Sequence, residues 1–353
     1  MEVFLKVVVK ATILVTKLKN KIMKKKQIII GIDVSKSTLD CFIHSFNQYF
    51  VVRNDSCGFA DLLERIFKLT LCKKKDILVC FENTGKYSKA LSVFLHSEEI
   101  PFVMASALDI KKSLGITRGK NDKVDARRIA IYAYEKRERL TETVLPGEKI
   151  DRIKVLITLR EKLVKHRTAY KNGISDVHDC YKAGETNMMK DIQKRLINNL
   201  DEEISTIEKE IEDIIKSDEE MLKNYKLVRS VRGIGLVIGF YLIAYTGNFT
   251  SFANARKFAC FSGIAPFANS SGTVTGKSKV HHYAKKQLKS LLNMAALSTI
   301  QHKSEFSEYY HKRIEQGKNK MSTLNIIRNK IIFRVFAVVH RGSPYVNLHK
   351  HVA

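Results

Sequence analysis

Short continuous apolar runs mark the first third of the chain. The run Ile28–Asp33 has the sequence IIIGID and ends in an acid. An apolar run without a polar break predicts a strand that is buried on both faces. A second run, Asp76–Glu82, has the same form with the sequence DILVCFE. Both predicted strands therefore end in a carboxylate where a buried sheet meets solvent.

The other patterns up to residue 145 predict three more strands and four helices. The strands are predicted at Leu39–Phe46, Tyr49–Arg53 and Pro101–Ala105. The helices are predicted at Gly58–Leu71, Ser88–Ser97, Ala107–Leu114 and about Asp122–Arg139. Three strands followed by alternating helices and strands favour an α/β domain with a mixed sheet.

Helical spacing replaces these runs between Ile150 and about Lys226. Apolar residues recur there at alternating steps of three and four, at Ile197, Leu200, Ile204, Ile207, Ile211 and Ile214. This spacing is a heptad seam, which is typical of a coiled coil. With a preceding helix at Ile153–Tyr181, it predicts a helical hairpin that partners another chain. An intramolecular bundle is the alternative interpretation.

The C-terminal third is predicted to be mainly helical, with helices at Lys285–Ile300 and Leu324–His340. Gly233 and Gly235 form a GIG turn between two apolar helical patterns, which resembles a helix–hairpin–helix. Backbone amides in such a turn can contact a nucleic-acid backbone, although many Gly-x-Gly turns are only tight turns. The stretch Phe261–Lys279 is rich in Gly, Ser and Thr, and we expect it to be an exposed loop.

Charge narrows the range of partners. The 353 residues include 62 Lys and Arg against 36 acids, a formal charge of +26. The last 103 residues alone hold 17 Lys and Arg against 3 acids. Such an excess predicts a polyanionic partner, of which nucleic acid is the commonest. No apolar run approaches the ~20 residues of a membrane-spanning helix. We therefore expect a cytoplasmic protein, nucleoid-associated when it is bound to DNA.

Two further features bear on the boundaries of the fold. The first 26 residues hold eight Lys and one Glu. We expect residues 1–25 to be a basic extension outside the fold; a genuine basic arm is the alternative. The six cysteines form no CxxC pair, so we expect reduced, mostly buried thiols and no zinc site.

Four acids are the candidate catalytic and metal-binding residues. Asp122 and Asp125 lie three positions apart on a predicted helix and so share one face. Asp33 and Glu82 end predicted strands. Carboxylates suit Mg²⁺, and two such ions can stabilise the attacking and leaving oxygens in phosphoryl transfer. Basic residues near the last pair can hold phosphates or form a solvated face: Lys111, Lys112, Arg118, Lys120, Lys123, Arg127 and Arg128.

Ser270 and Ser271 precede Gly272 in the predicted loop, where a hydroxyl can approach a phosphate closely. Taken without context, ordinary loop serines are the better explanation. Lys277 and Lys279 follow and are candidate nucleic-acid contacts. His281 and His282 come ten residues later, and no neighbouring pattern indicates a hydrolase triad.

These motifs together resemble one family. The segments GIDVSKSTLD, FENTGKYSKAL and KNDKVDARRIA look like the RuvC-like domain of the DEDD transposases. The segment from VRGIGLVIGF to LLNMAAL looks like the C-terminal domain of the same proteins, the insertion-sequence families 110, 116 and 902. The resemblance runs from about Lys26 to Gly342, with both blocks in the expected order.

The resemblance implies an RNase-H-like fold, a coiled-coil linker and a helical transposase domain. The boundaries are then 26–145, 150–226 and 227–342, with a tail at 343–353. It implies that Asp33, Glu82, Asp122 and Asp125 bind Mg²⁺. It also implies that Ser271, with Ser270 as the alternative register, attacks the DNA phosphodiester and forms a covalent phosphoserine link.

The same resemblance implies partners. These are double-stranded DNA at the element ends and target, and a structured guide RNA. Assembly into dimers and then a tetramer is implied, with the acids of one subunit meeting the serine of another. The leading hypothesis is thus a DNA recombinase. A Holliday-junction-type endonuclease that uses water at the same acids, and a nucleic-acid-binding protein with a decayed metal site, are the alternatives.

Overall fold

The computed structural model describes residues 28–113, 121–180, 187–271, 274–280, 284–302 and 304–346. The side chains of 174–180, 187, 268–271, 274–275 and 277–279 lie outside the description. The chain divides after Leu145 into two compact units.

The first unit is built on a mixed five-stranded sheet. Its strands are β1 (Ile28–Val34), β2 (Thr38–Ile43), β3 (Gln48–Arg53), β4 (Ile77–Glu82) and β5 (Phe102–Ala105). They lie in the order β3-β2-β1-β4-β5. The pairs β1–β2 and β2–β3 are antiparallel, whereas β1–β4 and β4–β5 are parallel. The mixed sheet predicted from the hydrophobic pattern is thus present.

Four helices cover the two faces of this sheet: α1 (Ser56–Thr70), α2 (Lys86–Ser97), α3 (Ala107–Ser113) and α4 (Asp122–Lys136). Ile30 and Ile32 of β1 pack in one core with residues of α1 and α2. Ile29, on the opposite face, packs in a second core with Ile110 of α3 and Ile129 of α4. Because both faces are covered, β1 is buried on both sides, as the unbroken isoleucine run predicts.

The predicted strand Leu39–Phe46 is too long. β2 ends at Ile43, and residues His44–Phe46 form a 3₁₀ turn. Asn47 closes that turn with a φ of 51°. The left-handed conformation is one that Asn tolerates well, and it reverses the chain into β3.

The second unit is mostly helical. Its helices are α5 (Glu148–Cys180), α6 (Asn187–Lys216), α7 (Glu219–Ser230), α8 (Leu236–Thr246), α9 (Ala255–Phe261), α10 (Lys286–Ile300), α11 (Glu305–Glu315) and α12 (Lys320–Arg341). One hydrophobic core includes residues from α5 through α12. The expected boundary between residues 226 and 227 falls inside α7, within that shared core.

The heptad seam of α6 packs inside its own chain. Ile207, Ile211 and Ile214 are buried in the same core as Ile153 and Ile157 of α5. Ion pairs join the two helices beside this core: Arg152 with Glu210, Arg160 with Glu208 and Arg167 with Asp201. The seam therefore packs within the intramolecular hairpin, which was the alternative interpretation of this spacing.

The predicted loop Phe261–Lys279 is wrong in part. Phe267–Ser271 forms β6 and Val274–Lys279 forms β7, and the two strands pair antiparallel. Ser and Thr are compatible with extended backbone, and the Gly-containing step between two such runs is a hairpin signal. The turn composition was recognised, but the two flanking strands were missed.

The described residues bear on the expectations about membrane helices and cysteines. Among the described helices, none is long and apolar enough to cross a membrane. Five cysteines are described and all are free thiols. Cys41 and Cys80 are buried, whereas Cys57 is exposed, so only part of the set is buried as expected.

Candidate active site

Asp33 and Glu82 lie side by side at one edge of the sheet. Ile32 of β1 is paired with Phe81 of β4 in the parallel register. Asp33 and Glu82 are the next residues along each strand, and neighbouring residues in register project from the same face. Buried apolar runs thus carry both carboxylates to the point where the strands emerge from the core.

Helix α4 brings Asp122 and Asp125 to that face. The side chain of Asn121 caps the helix by accepting a hydrogen bond from the amide of Lys123, so both acids fall in the first turn. Behind them the helix crosses β1 at Gly31, where a Cβ would lie 2.4 Å from the carbonyl oxygen of Ala126. Gly31 and Asp33 are two positions apart and share a face.

The electrostatics show that these acids are close neighbours. Burial, together with the charges of Asp125, Asp122, Asp40 and Glu82, raises the pKa of Asp33 to about 6. Burial and the charge of Asp125 also raise the pKa of Glu82. A carboxyl whose pKa is raised by other carboxylates is a mark of functional sites. The four predicted acids are therefore in one electrostatic cluster.

Sequence reasoning missed a fifth acid. Asp40 of β2 is directly opposite Asp33 in the antiparallel pair and is 6% exposed. It accepts a hydrogen bond from the hydroxyl of Tyr49. The signal was present as an acid within an apolar strand, LDCFI, because a charge in a buried strand needs a reason.

The basic residues near α4 take different positions. Arg128 donates a hydrogen bond to Asp125 across 2.8 Å, so it pairs with a site acid. Arg127 is exposed, with its guanidinium 5.8 Å from the ring centroid of Phe42. Lys120 lies outside the described residues.

The donor chemistry fits a hard divalent cation, because every candidate ligand is a carboxylate oxygen. A cluster of like charges is also stabilised by such an ion. Among the described residues, however, no three Asp, Glu, His or Cys side chains are gathered closely enough to hold a metal. The expected convergence of all four acids on an ion is not reached in this arrangement, in which Asp125 is turned to Arg128.

In the second unit, Ser271 is the last residue of β6. Its backbone is paired with that of Val274, and Ser270 is paired with Thr275. Both serines thus lie at the C-terminal end of β6. Lys277 and Lys279 lie on β7. The side chains of these four residues lie outside the description.

The two glycines of the GIG turn differ in their surroundings. Gly233 has a φ of 86°, and a Cβ there would lie 2.6 Å from the carbonyl oxygen of Ala295. Gly235 caps α8 with a φ of −83°, and nothing lies within 4 Å of its Cβ position. Gly233 is thus required by the fold of the second unit, whereas only Gly235 has open space beside it.

A mixed sheet with acids at two strand ends and on a packed helix agrees with an RNase-H-like domain. Comparison with known families identifies the class. Residues 30–181 match a model of DEDD transposases of the IS110 type. Residues 225–311 match the transposase model of the IS116/IS110/IS902 family. The chain therefore belongs to this family of transposases, whose members normally act with a divalent metal.

Two curated relatives align along most of the chain. The pilin gene-inverting protein of Moraxella lacunata is 27% identical over 329 residues, covering 90% of this chain and 97% of that protein. The transposase for insertion sequence element IS1111A of Coxiella burnetii is 22% identical over 348 residues, covering 90% and 91%. The similarity thus includes both units, and DNA transposase or recombinase activity fits this chain.

Proposed function

We propose that this protein cleaves and rejoins DNA strands in a Mg²⁺-dependent reaction that passes through a covalent serine–DNA link. The observation that carries the proposal is the concentration of carboxylates around Asp33, which raises the pKa of that acid to about 6. Gathering like charges at a helix start and two strand ends is costly unless a cation binds there.

The residues proposed to hold the cation are Asp33, Glu82, Asp122 and Asp125. When bound, Mg²⁺ would stabilise negative charge on phosphate oxygens and favour deprotonation of an attacking hydroxyl. Arg127 is exposed two positions after Asp125 on α4, and we propose that it contacts a DNA phosphate.

Ser271 is the proposed nucleophile. Its Oγ attacks phosphorus, the Oγ–P bond forms, and the P–O bond to the leaving deoxyribose oxygen breaks. The serine proton is lost to the medium, and the leaving oxygen takes up a proton. Because the phosphoserine link retains the energy of the cut bond, attack by a second strand's hydroxyl can restore DNA without ATP. The acids of one subunit are proposed to act on the same phosphate as the serine of another subunit.

The proposed nucleic-acid partners are double-stranded DNA and a structured guide RNA. The formal charge of +26 supports polyanion binding. The Moraxella relative is a pilin gene-inverting protein, and inversion of a gene is a DNA rearrangement, which supports recombination. Lys277 and Lys279, on β7 next to the serine strand, are proposed backbone contacts.

Self-association is also proposed, through a surface other than the seam. Large apolar side chains stay exposed on the hairpin, including Val155 at 60% and Met188 at 75%. Exposed apolar side chains on a helical pair are available for a second chain. Sedimentation of wild type and Val155→Glu tests this, and an unchanged sedimentation coefficient in a dimeric sample would place the interface elsewhere.

A denaturing gel tests the covalent step. Purified protein is mixed with Mg²⁺, RNA transcribed from the element's flanks and labelled DNA that carries the element junction. We expect a protein–DNA adduct in wild type that is lost in Ser271→Ala and in Asp122→Ala. Ser270→Ala is the matched control and should keep the adduct; if it alone abolishes the adduct, Ser270 is the nucleophile.

The same gel separates the competing functions. Cleavage without an adduct that survives Ser271→Ala but not Asp122→Ala would support the Holliday-junction-type endonuclease, with water as the nucleophile. DNA binding without Mg²⁺-dependent cleavage in wild type would support a binding protein with a decayed metal site.

A further inference from the structure

Asp40 is an acid at the candidate metal site that lies outside the four-residue motif. It is paired with Asp33 across the antiparallel β1–β2 ladder. Directly opposite residues of such a pair project from the same face of the sheet. The two carboxyl groups therefore face the same side, the one on which α4 packs.

A tyrosine holds this buried carboxylate in place. Tyr49 of β3 donates a hydrogen bond from its hydroxyl to Oδ1 of Asp40. That hydrogen bond is the first cause that raises the pKa of Tyr49 to about 12. The phenol is accordingly protonated near neutral pH and remains a donor. Since a phenol is neutral, it orients the carboxylate without cancelling its charge.

The same tyrosine connects Asp40 to the first turn of α4. The ammonium of Lys123 lies 5.2 Å from the centroid of the Tyr49 ring. Lys123 stands between Asp122 and Asp125 in sequence. One chain of contacts thus runs from the acid on β2, through Tyr49, to the helix turn that carries two of the four motif acids. A cation–π contact of this kind is weakly stabilising at an exposed site.

Energetics argue against a purely structural role for this charge. A buried carboxylate beside a second carboxylate destabilises the fold, and one neutral donor offsets only part of that cost. Among the described residues, no Lys or Arg forms an ion pair with Asp40. A buried tyrosine–asparagine hydrogen bond would join β2 and β3 without the repulsion. The retained charge is therefore explained by a cation that shares this face.

We propose that Asp40 is a positioning residue of the metal site, whose buried charge, held by Tyr49, strengthens cation binding at Asp33 and its neighbours. This rests on the proposed metal-dependent function. Groups that support metal ligands from behind typically change metal affinity 10–100-fold when they are removed. A purely structural role makes the opposite prediction, which is lost stability with unchanged metal binding.

Mn²⁺ binding to the full chain without DNA tests the inference, with free Mn²⁺ measured by electron paramagnetic resonance. We expect Asp40→Asn to weaken Mn²⁺ binding about 10–100-fold, while unfolding in urea without metal shows unchanged or increased stability. Tyr49→Phe keeps the charge of Asp40 but removes the hydrogen bond that orients its carboxylate. We expect this variant to lose less Mn²⁺ affinity than Asp40→Asn. Glu64→Gln removes one charge from an exposed position of α1 and should bind like wild type.

The outcomes separate this inference from the proposed function. Equal Mn²⁺ affinity in wild type, Asp40→Asn and Tyr49→Phe overturns the positioning role and leaves the metal site intact. Absence of Mn²⁺ binding in wild type overturns both proposals. If Asp40→Asn does not fold, Tyr49→Phe alone tests the inference. Wild-type Mn²⁺ affinity in Tyr49→Phe would contradict the positioning role of Asp40 and Tyr49.

Discussion

Gly31 of β1 lies directly beneath Ala130 of α4. A Cβ on Gly31 would be 2.3 Å from the amide nitrogen of Ala130, which is closer than non-bonded atoms approach. The helix backbone therefore rests on the strand where the side chain is missing. Because α4 also carries Asp122 and Asp125, this close approach sets the height of two proposed metal ligands above the sheet.

Gly31→Ala should displace α4. The new Cβ would meet the amide nitrogen of Ala130 and the carbonyl oxygen of Ala126. Both are backbone atoms that cannot rotate away, so we expect the free energy of unfolding to fall by about 3 kcal/mol. Mn²⁺ binding should weaken along with it, since the helix start moves away from Asp33. Urea unfolding and Mn²⁺ titration measure the two effects.

Gly147→Ala is the matched control, because nothing lies within 4 Å of its Cβ position. It should change stability by less than about 0.5 kcal/mol. Wild-type stability and metal binding in Gly31→Ala would show that α4 does not rest on β1 in this way.

The GIG turn offers a pair of variants with opposite expectations. Gly233→Ala places a Cβ against α10 and forces alanine to a φ of 86°, so we expect a loss of about 2 kcal/mol or more. Gly235→Ala meets open space and should cost less than about 1 kcal/mol. Thermal and urea unfolding compare the two. Wild-type stability with weaker DNA binding in Gly235→Ala would support a contact between the amides of this turn and DNA. Equal destabilisation by both variants would contradict the difference in packing between Gly233 and Gly235.

The raised pKa of Asp33 predicts a pH dependence of stability in metal-free protein. The pKa rises from 3.8 to about 6 on folding. Below pH ~4 the acid is protonated in both states and costs nothing. Between pH ~4 and ~6 the unfolded chain releases the proton first, so stability falls as pH rises and remains lower above that window. Solvent screening at this partly exposed site reduces the cost below the ~3 kcal/mol that the pKa difference alone would give.

Asp33→Asn should remove that decline. Urea unfolding in EDTA at several pH values from 4 to 7.5 measures it, and the variant should gain stability over wild type as pH rises. Parallel pH profiles of the two proteins would show that Asp33 has an ordinary pKa.

Arg328 of α12 is a buried cation in the second unit. It is 4% exposed, and its Nε donates to the carbonyl oxygen of Leu324 across 3.4 Å. Burial lowers its pKa, and no carboxylate among the described residues pairs with it. An unpaired buried charge is destabilising. Arg328→Met should therefore raise unfolding free energy by about 1 kcal/mol or more in urea.

Arg334→Met on the same helix is the control. Arg334 pairs with Glu305 across 3.3 Å at a half-exposed position, and such pairs contribute about 0–1 kcal/mol. This variant should be neutral or slightly destabilised. A destabilised Arg328→Met would mean that the guanidinium has a stabilising anionic partner.

Much of the first unit could be predicted from local patterns. The apolar runs that end in Asp33 and Glu82 predict buried strands, and both strands are buried in the structure. Asp122 and Asp125 were placed on a helix, where the structure has them in the first turn. These predictions succeed because side-chain periodicity and capping depend on residues within one or two turns of each other.

The errors share a different cause. The sequence pattern extends β2 past Ile43 and predicts a loop around Ser271, because strand limits depend on pairing with another segment. The seam at Ile207 and Ile211 was correctly recognised, but sequence spacing does not say which helix fills it. The structure fills it with α5 of the same chain.

The candidate site shows the same difference between features set by local sequence and features set by contacts between distant segments. Residue type and spacing indicate the four motif acids as candidates, whereas the serine pair is a candidate only through the family resemblance. Three contacts at the site join residues from separate elements. Asp40 faces Asp33, Tyr49 donates a hydrogen bond to Asp40, and Gly31 lies beneath Ala130. Strand register and helix docking create those contacts through packing of the completed core, so no local pattern of hydrophobic and polar residues carries them.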